Sequence, residues 1–207
     1  PWQTLAQVDL SPEEQRIVWD TMYTTGSSSG RPTPFVSTTS DFWDILLLQR
    51  RMLEIRGVSA EDRIANLFPL TRHPHGAFIR VLHAAAALHI PVVSALPGNP
   101  GPGFTVGQEL DARLAAIGVP DARVSISYGM TEIQGGLVEC TAGAGLHNPH
   151  PEAIAIDVVD PVTHAPLPDG EEGLILLSHM RRRGTLLLRY AVGDLGVRST
   201  ARCPHCG

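Results

Sequence analysis

A change of hydrophobic pattern near residue 153 constrains this chain more than any other feature. Before it, apolar runs of strand length alternate with amphipathic segments of helix length. After it, residues 153–159, 173–178 and 185–190 are short apolar runs separated by turns such as Leu167-Pro168-Asp169-Gly170. Strands alternating with helices predict a parallel sheet covered by helices, and closely spaced strands joined by turns predict an antiparallel meander. The chain therefore reads as an α/β region over 1–152, followed by an antiparallel, barrel-like subdomain over 153–207.

Within the first region, Ser11-Pro12-Glu13-Glu14 signals a helix start over 11–22, with Ser as cap and acids facing the dipole. A short strand then leads into a glycine-rich stretch. Phe42, Ile45, Leu46, Met52 and Leu53 recur at helical spacing over 39–56, after Ser40 as the expected cap. A buried strand over 63–70, an Ala-rich helix over 76–89 and a second buried strand over 90–96 form a βαβ unit. Residues 97–107 hold three Pro and four Gly in eleven positions, which no element interior tolerates. A helix over 108–117 and a strand over 123–127 follow.

The 207 residues suffice for one large domain, or a large and a small one, and 43% of them are hydrophobic, enough for a sizeable core. The net charge is −5, and the only basic run is Arg181-Arg182-Arg183, read as a solvated turn between strands. A nucleic-acid surface is not expected. No apolar run reaches membrane-span length and Pro1-Trp2-Gln3-Thr4 is not a signal peptide. A cytoplasmic protein with a small-molecule substrate is expected, and a homodimer is left open. The first residue is not Met, and the chain stops inside Cys203-Pro204-His205-Cys206-Gly207, so a piece of a longer protein is expected. All 16 basic residues are Arg. Any lysine chemistry must come from outside these residues.

Two stretches carry nucleotide chemistry. Thr24-Thr25-Gly26-Ser27-Ser28-Ser29-Gly30-Arg31-Pro32 offers five hydroxyls between Thr24 and Ser29, and its glycines permit close backbone approach to a polyphosphate. The alternative is a flexible Ser/Gly linker. It is not a Walker loop, since no Gly-Lys-Ser/Thr follows. Tyr128-Gly129-Met130-Thr131-Glu132 places an aromatic face, a hydroxyl and a carboxylate within five residues; the alternative is a strand–turn with a surface Glu. Downstream, Arg189-Tyr190-Ala191-Val192-Gly193-Asp194 supplies a carboxylate able to accept two hydrogen bonds from a vicinal diol, or an ordinary turn Asp.

The three cysteines make a separate group. Cys203 and Cys206 have a two-residue spacer, and Cys140 is followed seven positions later by His147. Together they could complete a Cys₃His zinc site of structural type. His150 or His205 could replace His147, and free thiols or a redox pair are the alternatives.

In order and kind, these motifs resemble the adenylate-forming enzyme superfamily, most closely its phenylacetate–CoA ligase-like branch. The resemblance implies a truncated N-terminal domain of that superfamily, without the C-terminal lid domain that usually supplies a catalytic Lys. Members have a longer helix-and-strand stretch after the βαβ unit, which implies a segment missing near 97–107 or a real deletion, and the first is expected because losing central strands would expose sheet backbone and core. It implies that the 24–32 loop holds phosphates, although it has one extra residue between its glycines and Arg31 where Lys is common. It implies that Tyr128 packs on adenine, Thr131 bonds the α-phosphate, Glu132 holds Mg²⁺, and Asp194, at the end of a strand, binds the ribose hydroxyls. Pro74-His75-Gly76 is similar to a segment lining the acyl pocket. Some members carry a structural zinc. The implied activity converts a carboxylic acid, aryl or arylacetic, and ATP to an acyl-adenylate, then transfers the acyl group to coenzyme A. Transfer to a carrier protein or amine, or a zinc-stabilised domain without turnover, are the alternatives.

Overall fold

A reciprocal cap fixes the start of the longest helix. The Asp41 N–H donates to the Thr38 hydroxyl at 3.4 Å, and the Thr38 N–H donates to Asp41 Oδ2 at 2.8 Å. Helix α1 therefore spans Thr39–Ile55, capped by Thr38 rather than by Ser40. The structure is a computed structural model describing residues 10–24, 31–66, 76–94, 125–143 and 145–207.

Ser11 and Glu14 do form the expected cap, with Ser11 N donating to Glu14 Oε2 at 2.9 Å and Glu14 N to Ser11 Oγ at 3.2 Å. The helix expected over 11–22 nevertheless stops after one 3₁₀ turn, Glu14–Arg16. Strand β1, Val18–Tyr23, takes over, because β-branched and aromatic residues here pair antiparallel with β2, Pro34–Thr38. Thr24 and Thr33 close the base of this hairpin, N–H to carbonyl at 3.0 Å and N–H to hydroxyl at 2.9 Å. The hairpin connection is the glycine-rich loop, whose residues 25–30 lie outside the described residues.

Strand β3, Ile64–Asn66, helix α2, Gly76–Leu88, and strand β4, Val92–Ser94, form the βαβ unit, with Ile64 opposite Val92 and Asn66 opposite Ser94 in parallel. This is the sole parallel pair among the described residues. The wider parallel sheet is not seen there, and the 97–107 break and the helix over 108–117 lie outside them.

Strands β5, Ser127–Met130, β6, Gly135–Glu139, and β7, Leu146–His147, make an antiparallel sheet in that order. The strand expected over 123–127 thus begins at Ser127 and contains the Tyr128 motif itself. Strands β8, Ile154–Val159, β9, Glu172–His179, and β10, Tyr190–Val197, form the antiparallel meander. Among the described residues it is an open three-stranded sheet and not a closed barrel. Of the strand expected over 185–190, residues 185–189 are a loop and Tyr190 opens β10. Thr185 bonds sideways to β2, its N–H donating to the Val36 carbonyl at 2.9 Å and its hydroxyl accepting from Val36 N at 2.8 Å.

The main core joins Leu48 and Met52 of α1 to Ile133 of the β5–β6 turn and to Val138, Ile154 and Leu177 of the two antiparallel sheets. Each fully buried aliphatic side chain contributes about 1.5–3 kcal/mol. Gly135 lets β6 lie directly on Leu48, where a Cβ would collide. A second core of Ala85, Leu88 and Ile90 packs with Leu53 and Val58. Among the described residues no helix is long and apolar enough to cross a membrane.

Candidate functional site

Tyr128 sits on β5, and Thr131 and Glu132 on the tight turn into β6. Gln134 closes that turn at φ 52°, its N–H shared between the Met130 and Thr131 carbonyls at 3.1 and 3.2 Å. Asp194 lies within β10, not at a strand end as expected. The pairings Ala191–Leu176 and Leu195–Leu174 leave three residues of β10 opposite one of β9. Gly193 absorbs this bulge at φ 94°, a conformation that costs glycine little. The bulge turns Asp194 toward β5, where the Tyr128 hydroxyl donates to Asp194 Oδ2. The Tyr190 hydroxyl lies 3.5 Å from Glu132 Oε1. Two phenols and two carboxylates from two sheets thus share one exposed edge. Burial, and then the Asp194 carboxylate, push the Tyr128 phenol up; burial and Glu132 push Tyr190 up. Both stay protonated donors. Gly129 lies on β5 between Tyr128 and Met130. Of the loop residues, Thr24, Arg31 and Pro32 are described, at its two ends. Thr25, Gly26, Ser27, Ser28, Ser29 and Gly30, with the segment containing His75, lie outside the described residues.

Behind Glu132 runs a buried polar network that sequence reasoning did not find. His179 Nε2 lies 2.9 Å from the Glu132 carbonyl, while His179 Nδ1 accepts from Leu187 N at 3.2 Å. The ring is therefore neutral with its proton on Nε2. Burial, and then the Arg182 charge, lower its pKa to about 4. Arg182 Nη1 donates to the same carbonyl at 3.3 Å, and Nη2 to Ser37 Oγ at 2.6 Å. Ser37 Oγ also accepts from Gln134 Nε2 at 2.7 Å, and Gln134 Oε1 accepts from Arg80 at 2.8 Å. The arginine triplet is thus not simply a solvated turn. Arg181 and Arg183 are exposed, but the Arg182 side chain is 8% exposed beside a fully buried Asp41. Asp41 accepts the N–H groups of Arg183 and Gly184, both at 2.8 Å, in addition to capping α1. The usable signal was Asp41 in a first turn and Arg80 alone on an apolar helix face.

The cysteine group assembles in space. Cys140 follows β6, His147 ends β7, and Cys203 and Cys206 lie beyond β10. One ligand atom from each falls within 4.8 Å of the others. Cys206 Sγ and His147 Nε2 are 3.8 Å apart, about the edge of a tetrahedron with metal–sulfur bonds of ~2.3 Å. Among the named alternatives, His150 is buried elsewhere against Arg51 and Glu152, and the group contains His147 rather than His205. The His205 and Cys206 N–H groups lower the Cys203 thiol, whereas burial and the other two thiols push Cys206 up to about 11. Crowded thiolates resist forming unless a cation shares their charge. The donor set suits a closed, four-coordinate metal centre.

No family model and no curated protein sequence matches the chain. Solved structures do. The chain resembles 2-hydroxyisobutyryl-CoA ligase, in an open conformation with 2-HIB-AMP and CoA, at TM-score 0.68 and 17% identity, covering 91% of this chain and 53% of that one. It resembles a long-chain-fatty-acid-CoA ligase from Archaeoglobus fulgidus at TM-score 0.62 and 17% identity, covering 86% and 45%. It resembles ATP-bound MatB from Rhodopseudomonas palustris at TM-score 0.59 and 14% identity, covering 93% and 47%. The chain spans about half the length of these proteins. Its fold is that of the corresponding part of these solved structures.

Proposed function

We propose that this chain is the nucleotide-binding part of an AMP-forming acid–thiol ligase of the phenylacetate–CoA ligase-like kind. The observation that carries this reading is the meeting of the Tyr128–Glu132 motif with Asp194, motifs distant in sequence that must converge if they share one ATP. Tyr128 presents its ring to adenine, Asp194 accepts from the ribose hydroxyls, and Thr131 donates to the α-phosphate. Thr24 to Arg31 wrap the remaining phosphates. Glu132 would hold Mg²⁺, which would supply charge neutralisation at phosphorus. The acid's carboxylate oxygen attacks the α-phosphorus, the bond to pyrophosphate breaks, and an acyl-adenylate forms. The coenzyme A sulfur then attacks the acyl carbon, loses its proton, and AMP leaves. Catalysis is by positioning and preorganised charge, without a protein nucleophile. A lysine ammonium, if required, comes from outside these residues, which contain none. Cys140, His147, Cys203 and Cys206 would hold a zinc of structural role.

ATP–pyrophosphate exchange by the full-length protein, with a panel of aryl, arylacetic and aliphatic acids, tests this. Acid-dependent exchange with a preference for aryl acids is expected. Nucleotide binding without exchange on any acid would instead identify a zinc-stabilised binding domain.

A further inference from the structure

Behind the Glu132 turn lies a pocket lined by Asp41, Asp44, His150, His179 and Arg182 among apolar side chains. About 20 Å³ of it is open to a water-sized sphere, and one water needs about 10–15 Å³ on that measure. Two buried polar atoms on this pocket lack a hydrogen-bond partner, His150 Nε2 and Arg182 Nε. Arg51 Nη1 lies 2.8 Å from His150 Nδ1. Arginine only donates, and its nitrogen lies closer to Nδ1 than Glu152 Oε2 does at 3.3 Å, so Nδ1 accepts and the imidazole proton sits on Nε2. Both unpartnered atoms are therefore N–H donors. Asp44 Oδ1 lies 3.8 Å from His150 Nε2, and Asp41 Oδ1 lies 4.0 Å from Arg182 Nε. Both separations are too long for direct hydrogen bonds.

We propose that this pocket is a binding site for one structural water. The water accepts from His150 Nε2–H and Arg182 Nε–H and donates to Asp44 and Asp41, which uses all four of its hydrogen-bonding positions. A metal cation does not suit two N–H donors, and an anion does not suit two carboxylates. The water joins α1, the turn at His150 and the loop at Arg182. Arg182 in turn holds the Glu132 carbonyl, so His150 and Asp44 are positioning residues for Glu132.

The site itself is tested on the full-length wild-type protein. A high-resolution crystal structure is expected to show one water about 2.7–3.2 Å from both nitrogens, and nitrogen-15 NMR to show the Nε2–H tautomer of His150. A dry pocket with His150 bonded directly to Asp44, or the Nδ1–H tautomer, would overturn it. The positioning role rests on the proposed reaction and is read separately. His150→Gln keeps a donor near the Nε2 position and should retain exchange activity. His150→Phe removes it and should lower kcat about tenfold with KM for ATP within about twofold. Wild-type kinetics in His150→Phe would refute positioning. Absence of exchange in the wild-type protein would sink the proposed reaction and leave the water to the crystal and NMR results.

Discussion

Asp194 owes its direction to the glycine before it. A regular strand would have alternated its side chain with its neighbours, whereas the bulge at Gly193 frees it to reach Tyr128. In full-length protein, Asp194→Ala should raise KM for ATP by removing two charge-assisted hydrogen bonds of about 1.5–3 kcal/mol each. Glu132→Ala should chiefly lower kcat, because metal stabilisation is greatest in the transition state. Steady-state kinetics showing wild-type values for both would reject the assignment. His179 carries a pH prediction. Its pKa in the fold, about 4, lies below the ordinary 6.5, so between these values the unfolded chain binds a proton that the fold refuses. Its contribution to stability is intact above pH 6.5 and is lost as pH falls toward 4. Denaturant titrations between pH 7.5 and 5 should show this slope, reduced in His179→Gln; an unchanged slope would contradict the buried neutral ring. Sequence singled out Tyr128, Glu132 and Asp194 because each sits in a short local motif, and their meeting at one edge required the fold. Arg182 was illegible, because its carboxylate partner Asp41 lies on another element far upstream.

At the scale of elements, local signals were read well and their extent poorly. The Ser11–Glu14 cap forms, yet its helix ends after one turn because pairing with β2 outcompetes it. The 185–190 run has strand composition, but its backbone turns aside to bond Val36. The βαβ unit and the meander were legible because their hydrophobic periods differ. The loop at 181–185 shows what local reading misses. A Cβ on Gly184 would run into the Val36 carbonyl and press on Asp41 Oδ2. Gly184→Ala should therefore push the loop off β2 and cost about 1–3 kcal/mol. Because the same loop carries Arg182, pyrophosphate exchange should fall as well. Unchanged unfolding midpoints would show that the loop can shift without cost.

At the scale of the whole molecule, the cysteine group ties distant parts together. Cys140 leaves the β5–β6–β7 sheet, His147 lies on its edge strand, and Cys203 and Cys206 lie beyond the β8–β9–β10 meander. One metal would pin the entrance of the meander to its exit, closing the long connection from Cys140 to Cys203. The spacing of each pair was legible from sequence, and convergence of the pairs required the fold. Because ligand atoms from two separate segments must be brought together, metal affinity is coupled to folding. Zinc removal should destabilise the protein before it alters the proposed nucleotide edge, where Tyr128, Glu132, Tyr190 and Asp194 meet without the cysteines. A loss of about 3 kcal/mol would lower Tm by about 6–12 °C in a domain of this size. Elemental analysis of protein purified without chelator should give one zinc per chain, and chelation should lower Tm at unchanged Kd for ATP. Cys203→Ser should reproduce the drop and make Tm insensitive to chelator. Protein without zinc, or a chelator effect on Kd for ATP with Tm unchanged, would refute a structural metal.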